Sequence, residues 1–294
     1  MNALYKLSQI SKQGHYQAIK RQEHWESQSL LYLGVIQDIR VNHPGMGLRS
    51  IYEMVQPEGI GRDAFIELGV RHGFQLEPVR APHRTTYSIP TSRYKNLLAD
   101  KVVTNINQVW VSDLTYYMLK EGFYYIVLIM DVYSRRIIGY SAADNMRTIN
   151  NLKALRMALN LRNVAHYHKN LIHHSDRGGQ YISDAYTGLL DNRGIKISMC
   201  ANVLENAHCE RINGTIKNQY LKPWGVKTPG ELLKRIGLAV ENYNNRPHRS
   251  LKRFTPNRFE HLLPSLPEEK RPPLNIFTYQ QDLSTGSQNH LFKP

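Results

Sequence analysis

The sequence predicts an α/β protein, with a mixed sheet of five strands, helices on the faces of that sheet, and a small helical region before it. Three observations support this fold class. Runs rich in β-branched and aromatic residues cluster between positions 108 and 144, strand-like and helix-like segments alternate after them, and the first 75 residues show only helical patterns and turns. Alternation of this kind is typical of layered α/β architectures.

Residues 1–75 form the predicted helical region, which we expect to resemble a helix-turn-helix. Its helical patterns are YKLSQISKQGHYQAIKRQ, SQSLLYLGVIQDIR, LRSIYEMV and RDAFIELGVRHGF, and the turn NHPGMG lies between the second and third. Leu31, Val35 and Ile39 recur at four-residue steps, which favours an amphipathic helix. Such a module suits DNA binding, but a simple three-helix packing module with solvated arginines fits equally well. The basic residues that would contact phosphate are Arg49, Arg62 and Arg71.

The remaining chain divides into a basic linker, a core and a tail. Residues 76–107 contain prolines and scattered basic side chains that break any sustained period. The core, 108–262, begins with the runs QVWVSDLTYYML, FYYIVLIMDVYS and RRIIGYSAAD, whose short separations predict an antiparallel meander. The helix TINNLKALRMALNLR, the strand LIHHSD, the helix ISDAYTGLLDNRG and the strand IKISM follow, and two helical segments end the core. Residues 263–294 are rich in Pro, Ser, Gln and Asn, so we expect a loosely wrapped or poorly ordered tail.

The charge predicts a nucleic-acid partner. Lys and Arg number 38 against 24 Asp and Glu, giving a formal charge of +14, and a surface of this sign attracts polyanions. We find no apolar run of about eighteen residues, so a membrane partner is not expected. Cys200 and Cys209 are too few for a disulfide framework, and the first residues lack the pattern of a secretory signal. These features predict a cytoplasmic protein.

Three acidic residues occupy positions suited to a metal site. Asp113 interrupts an apolar strand, Asp176 ends the strand LIHHSD, and Glu210 shares one helix face with Asn213 and Lys217. Carboxylates brought close together repel one another unless a cation lies between them, and hard oxygen ligands suit Mg²⁺ or Mn²⁺. Each residue taken alone also fits an ordinary hydrogen-bonded or solvated role, and Asp131 interrupts its strand in the same way.

The motifs resolve this ambiguity through a resemblance. WVSDLTYY, MDVYSRRIIGY, HHSDRGGQY, ENAHCERINGTIK and YNNRPHRSLKRFTP occur in the order found in the DDE transposase and retroviral integrase superfamily. The sequence is most similar to bacterial insertion-sequence family three, in particular to the product of its second reading frame (OrfB). The resemblance covers residues from about 10 to 260, and it implies a ribonuclease-H-like integrase core.

The resemblance implies the following roles. Asp113, Asp176 and Glu210 would be the catalytic triad holding two Mg²⁺ or Mn²⁺ ions, and Asp131 matches a position outside the triad. Between Asp176 and Glu210 lie 33 residues, fewer than the family pattern usually has, so Glu205 is retained as the alternative third carboxylate. Lys217 matches a basic residue that binds the phosphates of the DNA end. The other residues expected to contact DNA are Arg177, Arg246, Arg249, Lys252 and Arg253.

The predicted function is metal-dependent DNA strand cleavage and strand transfer during transposition of an insertion sequence. We expect DNA partners at the element ends and at the target, a homo-oligomer in the DNA complex, and a first-reading-frame (OrfA) product as partner or fusion. Two alternatives remain at this point: a structure-selective nuclease with the same fold, and a non-enzymatic DNA-binding remnant. A strand-transfer assay distinguishes both from a transposase.

Overall fold

The computed structural model describes residues 11–77, 94–163, 171–200 and 207–276. Contacts between Cα atoms divide the chain into two compact units. We call the first, comprising Met1–Thr85, Tyr117–Phe123 and Ile212–Phe259, the helical unit, and the second, comprising Thr86–Tyr116, Tyr124–Arg211 and Glu260–Pro294, the sheet unit. The domain boundaries suggested by the sequence, after residues 75, 107 and 262, remain predictions.

The secondary-structure elements follow the order expected from the sequence. The strands are β1 (Val102–Val103), β2 (Val109–Leu119), β3 (Gly122–Asp131), β4 (Ile137–Ala143), β5 (Ile172–Ser175), β6 (Lys196–Met199) and β7 (Leu274–Asn275). The α-helices are α1 (Lys12–Asn42), α2 (Leu48–Val55), α3 (Arg62–Arg71), α4 (Thr148–Arg162), α5 (Gly179–Ile182), α6 (Asp184–Asp191), α7 (Ala207–Ile216), α8 (Pro229–Asn244) and α9 (Pro256–Leu262). A π-helical turn, Lys217–Leu221, follows α7, and short 3₁₀ turns lie at Arg249–Leu251, Leu263–Ser265 and Glu268–Lys270. None of the described helices is both long and apolar enough to cross a membrane.

The main sheet is mixed and has five strands in the order β4-β3-β2-β5-β6. β3 and β4 are antiparallel, as the short separation of their sequence runs predicts. β5 runs parallel to both β2 and β6, and the connections between these parallel strands contain helices, as parallel pairing requires. The predicted fold class is therefore confirmed.

Helix α4 packs closely against β4. Ala154, Leu155 and Ala158 of this helix are fully buried in the core of the sheet unit. A Cβ atom on Gly139 would overlap the carbonyl oxygen of Ala154 and would lie 3.2 Å from the Cβ of Ala158. Glycine at position 139 therefore allows the helix backbone to approach the strand.

The helical unit differs from the sequence prediction at its first helix. Two helical segments were expected before the NHPGMG turn, but within the described residues α1 is a single 31-residue helix capped by Ser11. The predicted stripe of Leu31, Val35 and Ile39 is only partly right. Ile39 packs against the core, but Leu31 is 60% exposed, and the buried apolar residues are Tyr32 and Ile36, which lie against α2 and α3. The four-residue spacing identified the helix correctly, but neighbouring apolar residues left its rotation undecided.

The linker and the beginning of the tail are more ordered than their composition predicts. β1, inside the predicted linker, pairs with β7, inside the predicted tail, in an antiparallel ribbon. In addition, Tyr133 Oη donates a hydrogen bond of 3.1 Å to Pro272 O. Both contacts join segments that are distant in sequence, so local periodicity contained no signal for them. Residues 277–294 of the predicted tail lie outside the described residues.

Candidate functional site

The parallel pairing of β2 with β5 aligns two of the predicted carboxylates. Val111 is the register partner of His174, and two residues further along each segment lie Asp113 and Asp176. Because side chains alternate along a strand, we expect Asp113 on the same face as Val111 and Asp176 on the same face as His174. Because neighbouring strands are about 4.8 Å apart, this register, continued for two residues, would bring the two aspartates side by side just beyond the end of β5.

Asp176 is partly buried directly after β5. Its Oδ1 accepts a hydrogen bond from the Gly178 backbone N–H at 3.0 Å, and its carbonyl accepts one from Ser175 Oγ at 3.0 Å. Burial raises the pKa of the Asp176 carboxyl, and the Gly178 N–H lowers it by a smaller amount. A side chain on residue 178 would approach Asp176 Oδ1 to 3.1 Å, so the glycine leaves room for this turn.

Two buried side chains show that the predicted carboxylates share one neighbourhood. Burial raises the pKa of the Tyr181 phenol, and the negative charges of Asp176 and Asp113 contribute to the increase. Burial likewise raises the pKa of the Cys209 thiol, with further contributions from Asp113, Asp176, Cys200 and Glu210. All three carboxylates therefore act on the same buried thiol. Glu210 itself is exposed in the first turn of α7.

The three carboxylates approach one another without forming a closed ligand set. Among the described residues, no three His, Cys, Asp or Glu side chains are close enough together to hold one metal ion. The alternative third carboxylate, Glu205, lies outside the described residues, as does Asn206 before the helix.

The neighbouring histidines are structural. His173 Nε2 lies 3.0 Å from Tyr186 Oη, and His174 Nδ1 lies 2.8 Å from Ser198 Oγ, all buried. Burial lowers the pKa of His173 to about 3, and the neighbouring His174 contributes. Packing and hydrogen bonding within the sheet unit therefore account for the two adjacent histidines, His173 and His174.

Asp131, which the sequence could not separate from Asp113 by pattern alone, belongs to a buried network of hydrogen bonds and ion pairs. Its carboxylate accepts hydrogen bonds from the backbone N–H groups of Asn107 at 2.7 Å and Tyr133 at 3.0 Å, and lies 3.3 Å from Arg162 Nη2. Arg162 also binds Glu260 at 2.7 Å. Asp131 thus stabilises the fold of the sheet unit.

One contact at the Glu210 helix escaped the sequence analysis. Arg135 has a left-handed backbone with φ of 60°, and its Nη1 lies 2.6 Å from Nδ1 of His208, two residues before Glu210. Burial lowers the pKa of His208 to about 3, and the charges of Arg135 and Arg211 contribute. Only the SRR turn in the sequence hinted at an unusual backbone here, and nothing local linked it to position 208.

The basic residues predicted to bind DNA differ in how far other protein groups already contact them. Arg177, in the sheet unit, follows Asp176 and has a buried Nε without a hydrogen-bond partner among the described residues. In the helical unit, Lys217 begins the π-helical turn. Arg246 donates to Gln219 Oε1 at 2.5 Å and stacks over Tyr243, so it is held internally.

A basic loop, residues 248–254, presents the remaining predicted DNA contacts. His248 N donates to Phe254 O at 3.0 Å and Arg253 N donates to His248 O at 3.0 Å, which closes the loop. Lys252 and Arg253 have left-handed φ values of 49° and 72°. Arg249, Lys252 and Arg253 are all exposed, and Arg253 also lies 3.4 Å from the buried carboxylate of Glu53.

The arginines of the N-terminal region each lie beside an acidic side chain. Arg49 contacts Glu53 at 3.4 Å, Arg62 contacts Asp63 at 2.8 Å and Arg71 contacts Glu67 at 2.6 Å. The pairs of Arg62 and Arg71 are exposed and contribute little to stability, so they can be exchanged for phosphate contacts at small cost, whereas Arg49 pairs with a carboxylate that is only 8% exposed. Their part in DNA binding remains a prediction.

Comparison with known proteins shows which family the chain resembles over its sheet and the segment that follows. The integrase core domain family matches residues 104–202, and a second integrase core domain family matches residues 193–256. The chain is 32% identical over 253 residues to the uncharacterized 31 kDa protein of insertion element IS600 from Shigella sonnei, covering 82% of this chain and 90% of that protein. It is 35% identical over 210 residues to the transposase for insertion sequence element IS629 from Shigella sonnei, covering 70% of each.

A solved structure also shows similarity. The HTLV-2 integrase catalytic core domain in complex with magnesium, in its dimeric form, aligns with a TM-score of 0.43 and 22% identity. The alignment covers 53% of this chain and 96% of that one.

Proposed function

We infer the roles of individual residues from one premise: the chain belongs to the integrase-core family of insertion-sequence transposases. Members of this family are DDE polynucleotidyl transferases that act in transposition and DNA integration. The residue roles, the metal, the DNA contacts and the partners in this chain are our proposals.

We propose that Asp113, Asp176 and Glu210 form the catalytic carboxylate triad. The observation that supports this most strongly is the register of β2 and β5, which pairs Val111 with His174, two residues before Asp113 and Asp176. The combined effect of all three carboxylates on Cys209 adds Glu210 to the same neighbourhood. Three carboxylates so placed are unfavourable without a counter-charge, so the site gains stability when a cation enters it.

The donor set fits Mg²⁺ or Mn²⁺. Both ions prefer hard oxygen ligands, and all three side chains offer carboxylate oxygen. Two bound ions would lower the pKa of the attacking water or DNA 3′-hydroxyl and stabilise the leaving oxygen of an in-line displacement. Asp113, Asp176 and Glu210 would hold these ions when they are bound.

The protein's own contribution to the reaction is then position and charge. The Gly178 N–H fixes one oxygen of Asp176, which orients its carboxylate before metal or DNA arrives. A triad of this kind needs no covalent link between the protein and DNA, so no Ser or Tyr nucleophile is required. Preorganised ligands of this type avoid reorganisation during the reaction.

We propose that Lys217, Arg249 and Lys252 make the main phosphate contacts, because Arg249 and Lys252 project from a closed, exposed loop. Arg177 adds a contact beside Asp176. Arg246 and Arg253 contribute by holding their surroundings, since both already contact protein side chains. A formal charge of +14 supports binding to both element-end and target DNA.

We also propose that the chain forms a homo-oligomer on DNA and that it acts with a first-reading-frame (OrfA) product, either as a partner or as a fusion. Its proposed location is the bacterial nucleoid in the cytoplasm. The helical region up to residue 75 would act as a DNA-binding module, followed by the linker, the core and the tail with the boundaries given above.

The third carboxylate is the sharpest test of the triad. Purified protein, fused to its first-frame partner where needed, is assayed for joining of element-end oligonucleotides to target DNA with Mg²⁺ or Mn²⁺. Glu210→Gln should abolish joining, and Glu205→Gln should retain it. The reverse pattern would assign the third position to Glu205. Joining that persists after chelation of divalent ions would refute the metal mechanism, and cutting without joining would favour a nuclease.

A further inference from the structure

A carbonyl in the helical unit lacks the donor that a regular helix would supply. In an α-helix, the carbonyl of Gln219 would accept a hydrogen bond from the N–H of residue 223. That residue is Pro223, which has no N–H, and a proline ring also clashes with the carbonyl four residues earlier. The chain is π-helical over Lys217–Leu221, and Lys222 N donates to Lys217 O at 2.9 Å.

The missing donor comes from the turn between α1 and α2. The backbone N–H of Gly45 donates to Gln219 O at 2.9 Å. A Cβ atom on Gly45 would lie 2.8 Å from Gln219 O and closer still to the Gln219 Cα. Because the obstacle is backbone, no rotamer change would relieve the clash. Glycine at this position is therefore required by space.

Further contacts hold the same two segments together within the helical unit. His43 Nδ1 lies 3.2 Å from Tyr220 Oη, and Trp224 Nε1 donates to Val41 O at 3.3 Å. Asn242 Nδ2 donates to Asn42 O at 2.7 Å. Residues 41–45 thus contact the π-helical turn itself, Trp224 just after it and Asn242 of α8, all of which follow them by about 170 positions or more.

The π-helical turn decides where Lys217 points. Tyr220 and Leu221 are fully buried and anchor the end of the turn, whereas Lys217, its first residue, is partly exposed. Each residue of an α-helix rotates the side chain by about 100°, so loss of the wide turn would re-aim Lys217 relative to those anchors.

We propose that Gly45 is a positioning residue for Lys217: its N–H completes the hydrogen bonding of the Gln219 carbonyl that Pro223 leaves unpaired, and so maintains the π-helical turn that directs Lys217 to a DNA phosphate. This inference rests on the proposed role of Lys217 in phosphate binding. It assigns a function to the NHPGMG turn beyond linking two helices.

A double-mutant cycle on the full chain tests the inference. Affinity for an element-end duplex is measured by fluorescence anisotropy at several salt concentrations for wild type, Lys217→Ala, Gly45→Ala and the double variant. Loss of one phosphate contact should lower the log–log salt slope by about 0.9. We expect Lys217→Ala and Gly45→Ala to show the same reduction, and the double variant to bind like Lys217→Ala alone, since both changes remove one contact.

The control is Gly47→Ala in the same turn, where a Cβ meets nothing within 4 Å. It should keep the wild-type salt slope. If Lys217→Ala leaves the slope unchanged, the proposed role of Lys217 fails. If Lys217→Ala lowers the slope while Gly45→Ala leaves it unchanged or adds independently to the loss, Lys217 binds phosphate but the positioning role of Gly45 is wrong.

A second variant decides the matter if Gly45→Ala does not fold. Pro223→Ala supplies a backbone N–H that can pair with the Gln219 carbonyl inside the helix and removes the ring clash. We expect it to keep its thermal stability, to lower the salt slope as Lys217→Ala does, and to be non-additive with Lys217→Ala. A folded Pro223→Ala protein with the wild-type slope would overturn the inference.

Discussion

Removing the Glu260 carboxylate should destabilise the sheet unit strongly. This side chain is 7% exposed and accepts hydrogen bonds from Ser134 Oγ at 2.6 Å and from Arg136 Nη1 at 2.6 Å. It also accepts two from Arg162, at 2.7 and 2.8 Å. In Glu260→Ala, the buried Arg162 guanidinium would keep Asp131, at 3.3 Å, as its remaining acidic contact among those described above.

The expected loss is about 3–5 kcal/mol of unfolding free energy, because breaking a buried pair leaves an uncompensated charge inside the protein. Glu260→Gln keeps the shape of the side chain but loses its charge, so it should fall between wild type and Glu260→Ala. The Arg162 guanidinium and the hydrogen bonds from Ser134 and Arg136 outweigh burial and hold the pKa of Glu260 below its ordinary value. Its contribution to stability is thus present above the unfolded pKa, about 4.5, and is lost as pH falls through the folded pKa.

Urea unfolding followed by circular dichroism measures the effect. The matched control is Glu268→Ala, which removes an exposed carboxylate that lies 3.4 Å from Arg271 and should change stability by no more than about 1 kcal/mol. The gap between wild type and Glu260→Gln should narrow as pH falls below about 4.5. Equal urea midpoints for Glu260→Ala and Glu268→Ala at pH 7 would refute the network argument.

Three other predictions follow from particular contacts. Gly139→Ala should destabilise the protein by about 1–3 kcal/mol because its Cβ would meet the Ala154 carbonyl. Gly188→Ala in α6, where a Cβ meets nothing within 4 Å, should stabilise it by about 0.5–1 kcal/mol. Equal shifts of the melting temperature in the two variants would count against the close packing of α4 on β4. Arg249→Ala and Lys252→Ala should each lower the salt slope of DNA binding by about 0.9. Arg156→Ala, which changes an exposed arginine of α4 that is not among the proposed DNA contacts, should keep the wild-type slope; a common slope for all three variants would contradict the loop assignment. Burial lowers the pKa of His43 to about 4 and that of His173 to about 3. The contribution of these two neutral histidines to the free energy of unfolding is therefore complete above the unfolded pKa of about 6.5 and is lost as pH falls toward the folded values. Urea midpoints that stay constant from pH 7 to 4 would argue against neutral buried histidines.

The sheet could be predicted from the sequence because its signals are local. The β-branched and aromatic runs gave five strands in the right order, and α4 was predicted at its observed bounds, Thr148–Arg162. In α8, Leu232, Ile236 and Val240 are buried, whereas Leu233 is 55% exposed. Periodicity thus located the helix, and tertiary packing decided which neighbouring leucine is covered.

The carboxylate neighbourhood could be predicted only through the motifs. Asp113 and Asp131 interrupt their strands in the same way, and the difference between them lies in long-range partners. Asp131 is enclosed by Arg162 and by backbone N–H groups, whereas Asp113 is aligned with Asp176 by strand register. No local pattern records such pairing, so the resemblance supplied the ranking that the residues alone could not.

Contacts between distant segments were beyond sequence reasoning. The Gly45–Gln219 hydrogen bond, the Arg135–His208 contact and the β1–β7 ribbon each join positions at least 70 residues apart. The NHPGMG motif predicted a turn that includes Gly45. The partners in these contacts follow from the folded arrangement, which one sequence does not specify by pattern.

The most direct test of the central proposal compares DNA joining with DNA binding in Asp176→Asn. The account predicts that Mg²⁺-dependent joining of element ends falls by several orders of magnitude, since each ~1.4 kcal/mol of lost transition-state stabilisation costs tenfold in rate. Binding of the same duplex, measured by filter retention, should stay close to wild type because phosphate contacts come from basic side chains. If Asp176→Asn retains joining above a few per cent of wild type while binding DNA normally, Asp176 is not a metal ligand and the proposed mechanism is wrong.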